Sequence, residues 1–565
     1  MNHKYFIYNG RQPMPDDITE LNYCCKGDYM ADHLPSSITH LNFCKRYNQT
    51  ADHLPPNITH LTFNHHYNYK TDNLPPNITH LTFKCCYNQI SDHLPSNITH
   101  LTLSGRYNQI TNYLPPSITH LIFGDFYNQP TDHLPSSITH LTFGKIYNQP
   151  TDHLPPSVTH LTFGYDYNQP TDHLPPNITH LTFCKNYDQP TDHLPPSITH
   201  LTFGNDYNQP ADHLPPNITH LTFGKNYNQP TDHLPSSITH LTFANEYDQP
   251  TDYLPSSIIS LTFGYYYDQC ADHLPPNIKI LAFGRHYDQS IDHLPQSITS
   301  LSLGYYYNQH VDYLPPNIMY LTFGKRYNQP TDHLPPKILC LTFGGNYEQS
   351  TDHLPSSITT LTFGKHYDQP IDYLPPNITH IAFGSWFTQS LEHLPSKITH
   401  FAFLSCYNLS ISKLPVSITH LYFKPRNSNI RKILSQLPNL THIRYGGEYE
   451  LILDILYANY NLRLIDINTP KMFMHPENKI YTQKIKIHTG YNIHNQKMKS
   501  MNLSSFGIDL LFNIHVDDNI YTNKNIIHKN CSREDHIDYK GWHKDWDYNC
   551  WFCLGYHPTS RTHLY

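Results

Sequence analysis

LPSSITHLTFGKIYNQPTDH, residues 134–153, decides the fold of this chain, because the same 20-residue string, lightly varied, recurs along most of it. The dipeptide Leu-Pro stands at Leu34, Leu54, Leu74, Leu94 and Leu114 and continues in steps of 20 to Leu414, with Met14-Pro15 as a degenerate first copy. That makes 21 units without an insertion or deletion. A fixed period of this length is the signature of a stacked repeat protein, in which no unit buries its apolar face alone.

Within the unit, Leu141 and Phe143 alternate with His140 and Thr142, the period-two pattern of a short strand with one buried face. Ile138 lies three residues before Leu141, out of phase with that strand, and must turn inward from the segment leading into it. Ile-x-x-Leu-x-Phe is the leucine-rich-repeat skeleton. Pro135 and Pro150 fix φ and remove donors on either side of the strand, so no helix fits between units. The expected fold is a mainly β solenoid, a leucine-rich-repeat-like arc with one short parallel strand per unit and a convex side of polyproline and turns. The alternative is a parallel β-helix, with two or three strands per coil.

Past Leu414 the spacing lengthens, but Leu440, Ile443 and Tyr445, then Leu462, Ile465 and Ile467, repeat the same offsets as two longer terminal units. The stretches 430–437 and 449–460 lack Pro and carry apolar residues at helical spacing, which predicts short helices in a terminal cap. The expected organisation is a lead over 1–13, repeats over 14–425, capping units over 426–467 and a separate region over 468–565.

The Leu-Pro start, the Ile-Thr-His-Leu-x-Phe-Gly core and the Tyr-Asn-Gln-Pro exit together resemble the FNIP repeat of social amoebae and giant viruses of amoebae. The resemblance covers roughly residues 14–425. It implies a relative of the leucine-rich repeats. The units here are shorter than the family's usual ones and use Tyr147 where the family more often shows Phe. Viral members often carry an N-terminal F-box, which implies ubiquitin-ligase adaptors, but only 13 residues precede the first unit and no F-box fits in them. The asparagine expected three residues past the Phe is displaced to Asn148, five past Phe143, so a standard buried Asn ladder is not expected.

Formal charge is −8 with 44 neutral His, and only 15% of residues are charged, so no basic stripe is available for nucleic-acid phosphates. MNHKYFIYNG lacks the apolar core of a signal peptide and no run approaches a membrane span, which predicts a cytoplasmic protein, in the host cytoplasm if viral. Twelve Cys are scattered without a pairing logic, as suits a reducing compartment.

Comparison among units shows where a partner would bind. The outward strand position is His in eleven consecutive units, His40 to His240, and again at His380, His400, His420 and His442. A plain polar face suits these positions better than a metal array, since no carboxylate or thiolate accompanies the rings. Between the two runs stand Ser260, Ile280, Ser300, Tyr320, Cys340 and Thr360, and nearby loops carry Tyr265, Tyr266, Tyr305, Tyr306 and Trp386. Clustered exposed aromatics mark interaction surfaces, and these eleven residues form the expected site for a protein partner. The Asp at 132 and its copies is expected to close an Asx-type turn before Leu-Pro.

The tail holds Cys550, Cys553, His557 and His543, with Cys531 nearby, a set that would complete a tetrahedral zinc site. No cofactor is expected for the repeats. Nothing in the chain forms a catalytic constellation: no phosphate loop, no nucleophile among matching partners, no carboxylate pair set apart. The expected function is a monomeric, non-enzymatic interaction scaffold. The alternative is an adaptor for a host ubiquitin ligase, docking through the tail.

Overall fold

The fold is described from a computed structural model for residues 5–9, 13–24, 31, 33–45, 47–403, 414–423 and 435–445, and for the backbone strands 464–471, 481–488 and 514–515. The chain divides into two compact units, Met1–Ile278 and Lys279–Tyr565. Each 20-residue coil contributes one strand, such as His140–Thr142, His160–Thr162 and His180–Thr182. The parallel β-helix alternative is thereby set aside.

In the first unit the strands run from Tyr5–Tyr8 to Ser260–Thr262. Neighbours pair in parallel, shifted by one whole period, so that Leu181 lies opposite both Leu161 and Leu201. In the second unit the same pairing runs from Ile280–Ala282 to His442–Tyr445, where His420 faces His442 across a lengthened coil. His442 then faces Leu464 and Tyr445 faces Ile467, as the drifting offsets predicted. That last parallel strand extends to Lys471, and Tyr481–His488 pairs with it antiparallel, an ending the repeat pattern did not announce. Ser435 is helical; residues 430–434 and 449–460, where the cap helices were expected, lie outside the described residues.

Leu134, Ile138, Leu141, Phe143 and Tyr147 are all buried, Ile138 and Tyr147 completely. A backbone bond from Ile138 N–H to the Pro135 carbonyl, 3.2 Å, makes the inward turn that brings Ile138 into the core. The Phe143 ring lies on Tyr147 at 3.7 Å, and Tyr147 stacks between Tyr127 at 6.0 Å and Tyr167 at 6.2 Å. The core is therefore a set of columns, each dominated by one residue type, with exceptions such as Leu103 and Leu303 among the Phe and Phe387 among the Tyr.

The columns also carry polar bonds. Tyr187 Oη lies 2.8 Å from Thr171 Oγ1 inside the stack. Tyr227, at the same place in its own coil, meets Ala211 instead of Thr, and its buried hydroxyl has no partner. Tyr187→Phe should therefore cost about 1 kcal/mol, leaving Thr171 buried and unpaired, whereas Tyr227→Phe should be neutral or slightly stabilising. Urea midpoints of the two variants check this, and equal losses would refute it.

An asparagine ladder does form, but it is half-buried to exposed and not the standard buried one. Asn148 N–H donates to Asn128 Oδ1 at 3.0 Å, and Asn168 N–H to Asn148 Oδ1 at 2.9 Å. Asp188 serves equally, accepting from Asn208 N–H at 2.9 Å. The ladder needs only an oxygen projecting along the stack, so its displacement from the leucine-rich-repeat position does not abolish it. The turn before Leu134 is closed by its own backbone, Leu134 N–H to the Thr131 carbonyl at 3.4 Å, with Asp132 exposed.

Glycine after the Phe answers to space, with no positive φ at Gly144 or Gly204. A Cβ on Gly204 would come within 1.2 Å of the Cys184 carbonyl oxygen in the coil before it. Cys24 and Cys44, one period apart, are disulfide-bonded with Cα atoms 4.8 Å apart. That pair meets because residues 20 apart are neighbours in the stack, whereas Cys85, Cys86, Cys184, Cys270 and Cys340 are free thiols.

Candidate functional site

Two outward surfaces stand out, one in each unit. In the first, the histidine column is a stack of rings. Centroids of consecutive rings from His40 to His240 lie 4.1 to 4.3 Å apart and close to parallel, for example His180 on His200 at 4.2 Å and 12°. Glu20 continues the column before His40.

Each ring is held by the threonine before it. Thr139 Oγ1 lies 2.9 Å from His140 Nδ1 and 3.2 Å from the Thr119 carbonyl oxygen. The hydroxyl can donate to Nδ1, or donate to the carbonyl and accept from Nδ1–H. The second arrangement leaves Nε2 with its lone pair free. Burial, and then the adjacent rings, hold the imidazoles below their usual range: His60, His120, His180 and His220 are lowered to about 4. In the second unit His380, His400, His420 and His442 form a shorter column at 4.1 to 4.2 Å, with His400 lowered to about 3 by burial and its neighbours.

The expected partner residues divide between the two units. Ser260, Tyr265 and Tyr266 belong to the first unit, where the two tyrosine rings meet edge to face at 4.7 Å. Ile280, Ser300, Tyr320, Cys340 and Thr360 form one column of the second unit, ending on His380. Ile280 and Tyr320 are 48% and 42% exposed, which puts large apolar side chains in this mixed column where the other carries imidazole. Met319 and Leu339, one residue before Tyr320 and Cys340, are half-buried beside it.

The loops beside that column hold the rest. Tyr305 and Tyr306 pack at 4.9 Å. The Arg285 guanidinium lies 4.5 Å from the Tyr305 centroid, Lys325 Nζ 5.4 Å from the same ring, and the Arg326 guanidinium 4.5 Å from Tyr306. Farther along, Trp386 stacks flat on His366 at 4.4 Å with Lys365 Nζ 5.4 Å from its ring. The two variable loop positions from 285 to 386 carry Arg285, Lys325, Arg326 and Lys365 and no acid, while those from 125 to 246 mix Asp125, Asp166, Asp206 and Glu246 with lysines. Reading aromatics alone missed these cations. Laying the loops in columns one period wide would have found them.

Cys550, Cys553, His557, His543 and Cys531 lie outside the described residues. Among the described residues, no helix is long and apolar enough to cross a membrane.

Comparison with solved structures finds a circular leucine-rich-repeat protein, CroV588, from a giant virus. It is 36% identical, with a TM-score of 0.66 over 77% of this chain and 73% of that one. YopM of Yersinia enterocolitica also matches, at 18% identity and a TM-score of 0.36 over 77% of this chain and 88% of its own. A search of curated proteins found no match. The FNIP repeat family model matches in overlapping windows from residue 47 to residue 366, interrupted only at 267–270. With the strict period and the one-strand coil, those matches establish that the chain belongs to the FNIP repeat family.

Proposed function

We propose that the chain is a non-enzymatic scaffold whose second unit binds an acidic protein surface carrying exposed apolar side chains. The observation that supports this is the ridge of Arg285, Tyr305, Tyr306, Lys325 and Arg326 beside Ile280, Tyr320 and Cys340. Aromatic and arginine anchors dominate binding energy at protein interfaces. Here the cations hold the rings in place before any partner arrives, which lowers the ordering cost of binding. The excess of positive charge along the ridge favours an acidic partner and speeds encounter.

The triple variant Tyr305→Ala, Tyr306→Ala, Arg326→Ala should lose capture of the partner at least tenfold, as expected when interface anchors are truncated. Its melting temperature should stay close to that of the parent chain, because all three side chains stand outside the core. Affinity capture with quantitative mass spectrometry, after nuclease treatment, reads the outcome. Undiminished capture removes the proposal, and capture abolished by the nuclease points to a nucleic acid instead.

A further inference from the structure

We infer that the ridge of the second unit takes an acidic segment in the polyproline II conformation, lying across the coils with a carboxylate at every third residue. The inference rests on the reading of that ridge as a protein-binding surface and names the kind of polypeptide it fits.

Its basis is a spacing that the backbone holds fixed. The variable loops are themselves joined coil to coil. Tyr306 N–H donates to the Arg285 carbonyl at 2.9 Å, Arg326 N–H to that of Tyr305 at 2.9 Å, Asn346 N–H to that of Lys325 at 2.8 Å, and His366 N–H to that of Gly345 at 2.9 Å. Such a ladder sets neighbouring loops about 4.8 Å apart, as in a parallel sheet. Cations stand in every second loop, at Arg285, at Lys325 with Arg326, and at Lys365. The loops between them carry Tyr305 with Tyr306 and then Gly345 with Asn346, and Trp386 follows Lys365. The cationic period is therefore two coils, about 9.6 Å.

Regular backbones differ in how often they return the same edge. A polyproline II segment has three residues per turn and rises about 3.1 Å per residue, so its edge returns about every 9.3 Å. An extended strand returns its edge about every 6.8 Å. An α-helix does so about every 10.5 Å, at the seventh residue. Over the two periods from Arg285 to Lys365 the strand falls out of step and the helix overshoots by roughly 2 Å. Polyproline II stays within about 1 Å of all three cationic loops.

The loops between the cations suit the remaining edges. Aromatic faces are the usual dock for proline in this conformation, and Gly345 leaves a notch between Lys325 and Lys365. The nearest acids in the cationic coils do not oppose an anionic ligand. Asp288 and Asp368 are turned along the stack, accepting from Asn308 N–H at 2.8 Å and Thr388 N–H at 2.7 Å. Glu348 stands in a coil whose loop has no cation.

Fluorescence anisotropy of the full chain with labelled peptides at low ionic strength tests the spacing. One peptide repeats Glu-Pro-Pro. A second has the same composition with its glutamates in one block, so that charge and conformation match and only the spacing differs. The periodic peptide should bind about tenfold more tightly. Exchanging two loops, with Lys325→Gly, Arg326→Asn, Gly345→Lys and Asn346→Arg, keeps the composition, breaks the period and should abolish that preference. The fold accommodates the exchange, because the atoms nearest a Cβ on Gly345 belong to the Lys325 side chain, the closest at 3.1 Å, and that side chain is removed with it. Circular dichroism checks that the exchanged chain is folded, and the comparison on the parent chain is decisive without it. Equal affinity of the two peptides for the parent chain, or binding of neither, overturns the inference. So does a preference that survives the exchange, or tighter binding of a single-stranded oligonucleotide or of a helical peptide with glutamate at every seventh residue. In each of those cases the surface itself is judged separately, by partner capture with the Tyr305→Ala, Tyr306→Ala, Arg326→Ala chain.

Discussion

Acidifying the chelator-treated protein from pH 7.5 to pH 4.5 is expected to lower its melting temperature by several degrees, with the loss beginning near pH 6.5. In the folded chain His60, His120, His180 and His220 are held at about 4, whereas in the unfolded chain each titrates at the ordinary imidazole value of 6.5. The unfolded state therefore takes up protons first as pH falls, and stability declines with it. The contribution is complete above pH 6.5 and is lost progressively down to pH 4. These rings are only half-buried, so screening reduces each contribution to about 0.5 kcal/mol. Over the ten rings from His60 to His240, all held low, the sum still reaches several kcal/mol. A variant with His60, His100, His140, His180 and His220 each changed to Thr should show a flatter profile. A parent melting temperature unchanged across this range would dismiss the expectation.

Tyr187→Ala should have the largest effect of any single change in the repeats, about 3–5 kcal/mol. The ring is fully buried, stacked on Phe183 at 3.7 Å and set between Tyr167 and Tyr207 at 6.1 and 6.2 Å. Backbone ladders on both sides hold the coils at fixed spacing, so the cavity cannot close by collapse. Solenoid stability is a sum over units and their interfaces, and weakening one coil divides the stack at that point. Limited proteolysis should cut near residue 187, alongside a lowered urea midpoint. An unchanged cleavage pattern and midpoint would show that the Tyr column is dispensable.

The fold was legible because its two periods are both local. Alternation of Leu141 and Phe143 defines the strand, and the recurrence of Leu134-Pro135 defines the stack. What escaped the sequence involves partners one coil away. Asn148 looked misplaced by comparison with leucine-rich repeats, yet its role depends on Asn168 and not on its distance from Phe143. Cys24 and Cys44 looked scattered until the period made them neighbours. On the surface proposed for a partner, the aromatics stood out in the sequence and the cations beside them did not, because Arg285 and Lys325 are 40 residues apart in sequence yet approach the same Tyr305 ring. Ser260, Tyr265 and Tyr266 were grouped with residues that belong to the other compact unit.

The uniform register has a genetic consequence. Leu181 meets Leu161 through the same three-residue match by which it meets Leu201. Excising 20 residues between equivalent points of such coils rejoins side chains that already fit one another, and duplicating 20 does the same. A gene for this stack can change length by unequal recombination while every intermediate product still folds. A surface such as the Arg285 to Trp386 ridge can then be copied, moved or lost as a cassette, leaving the architecture around it intact.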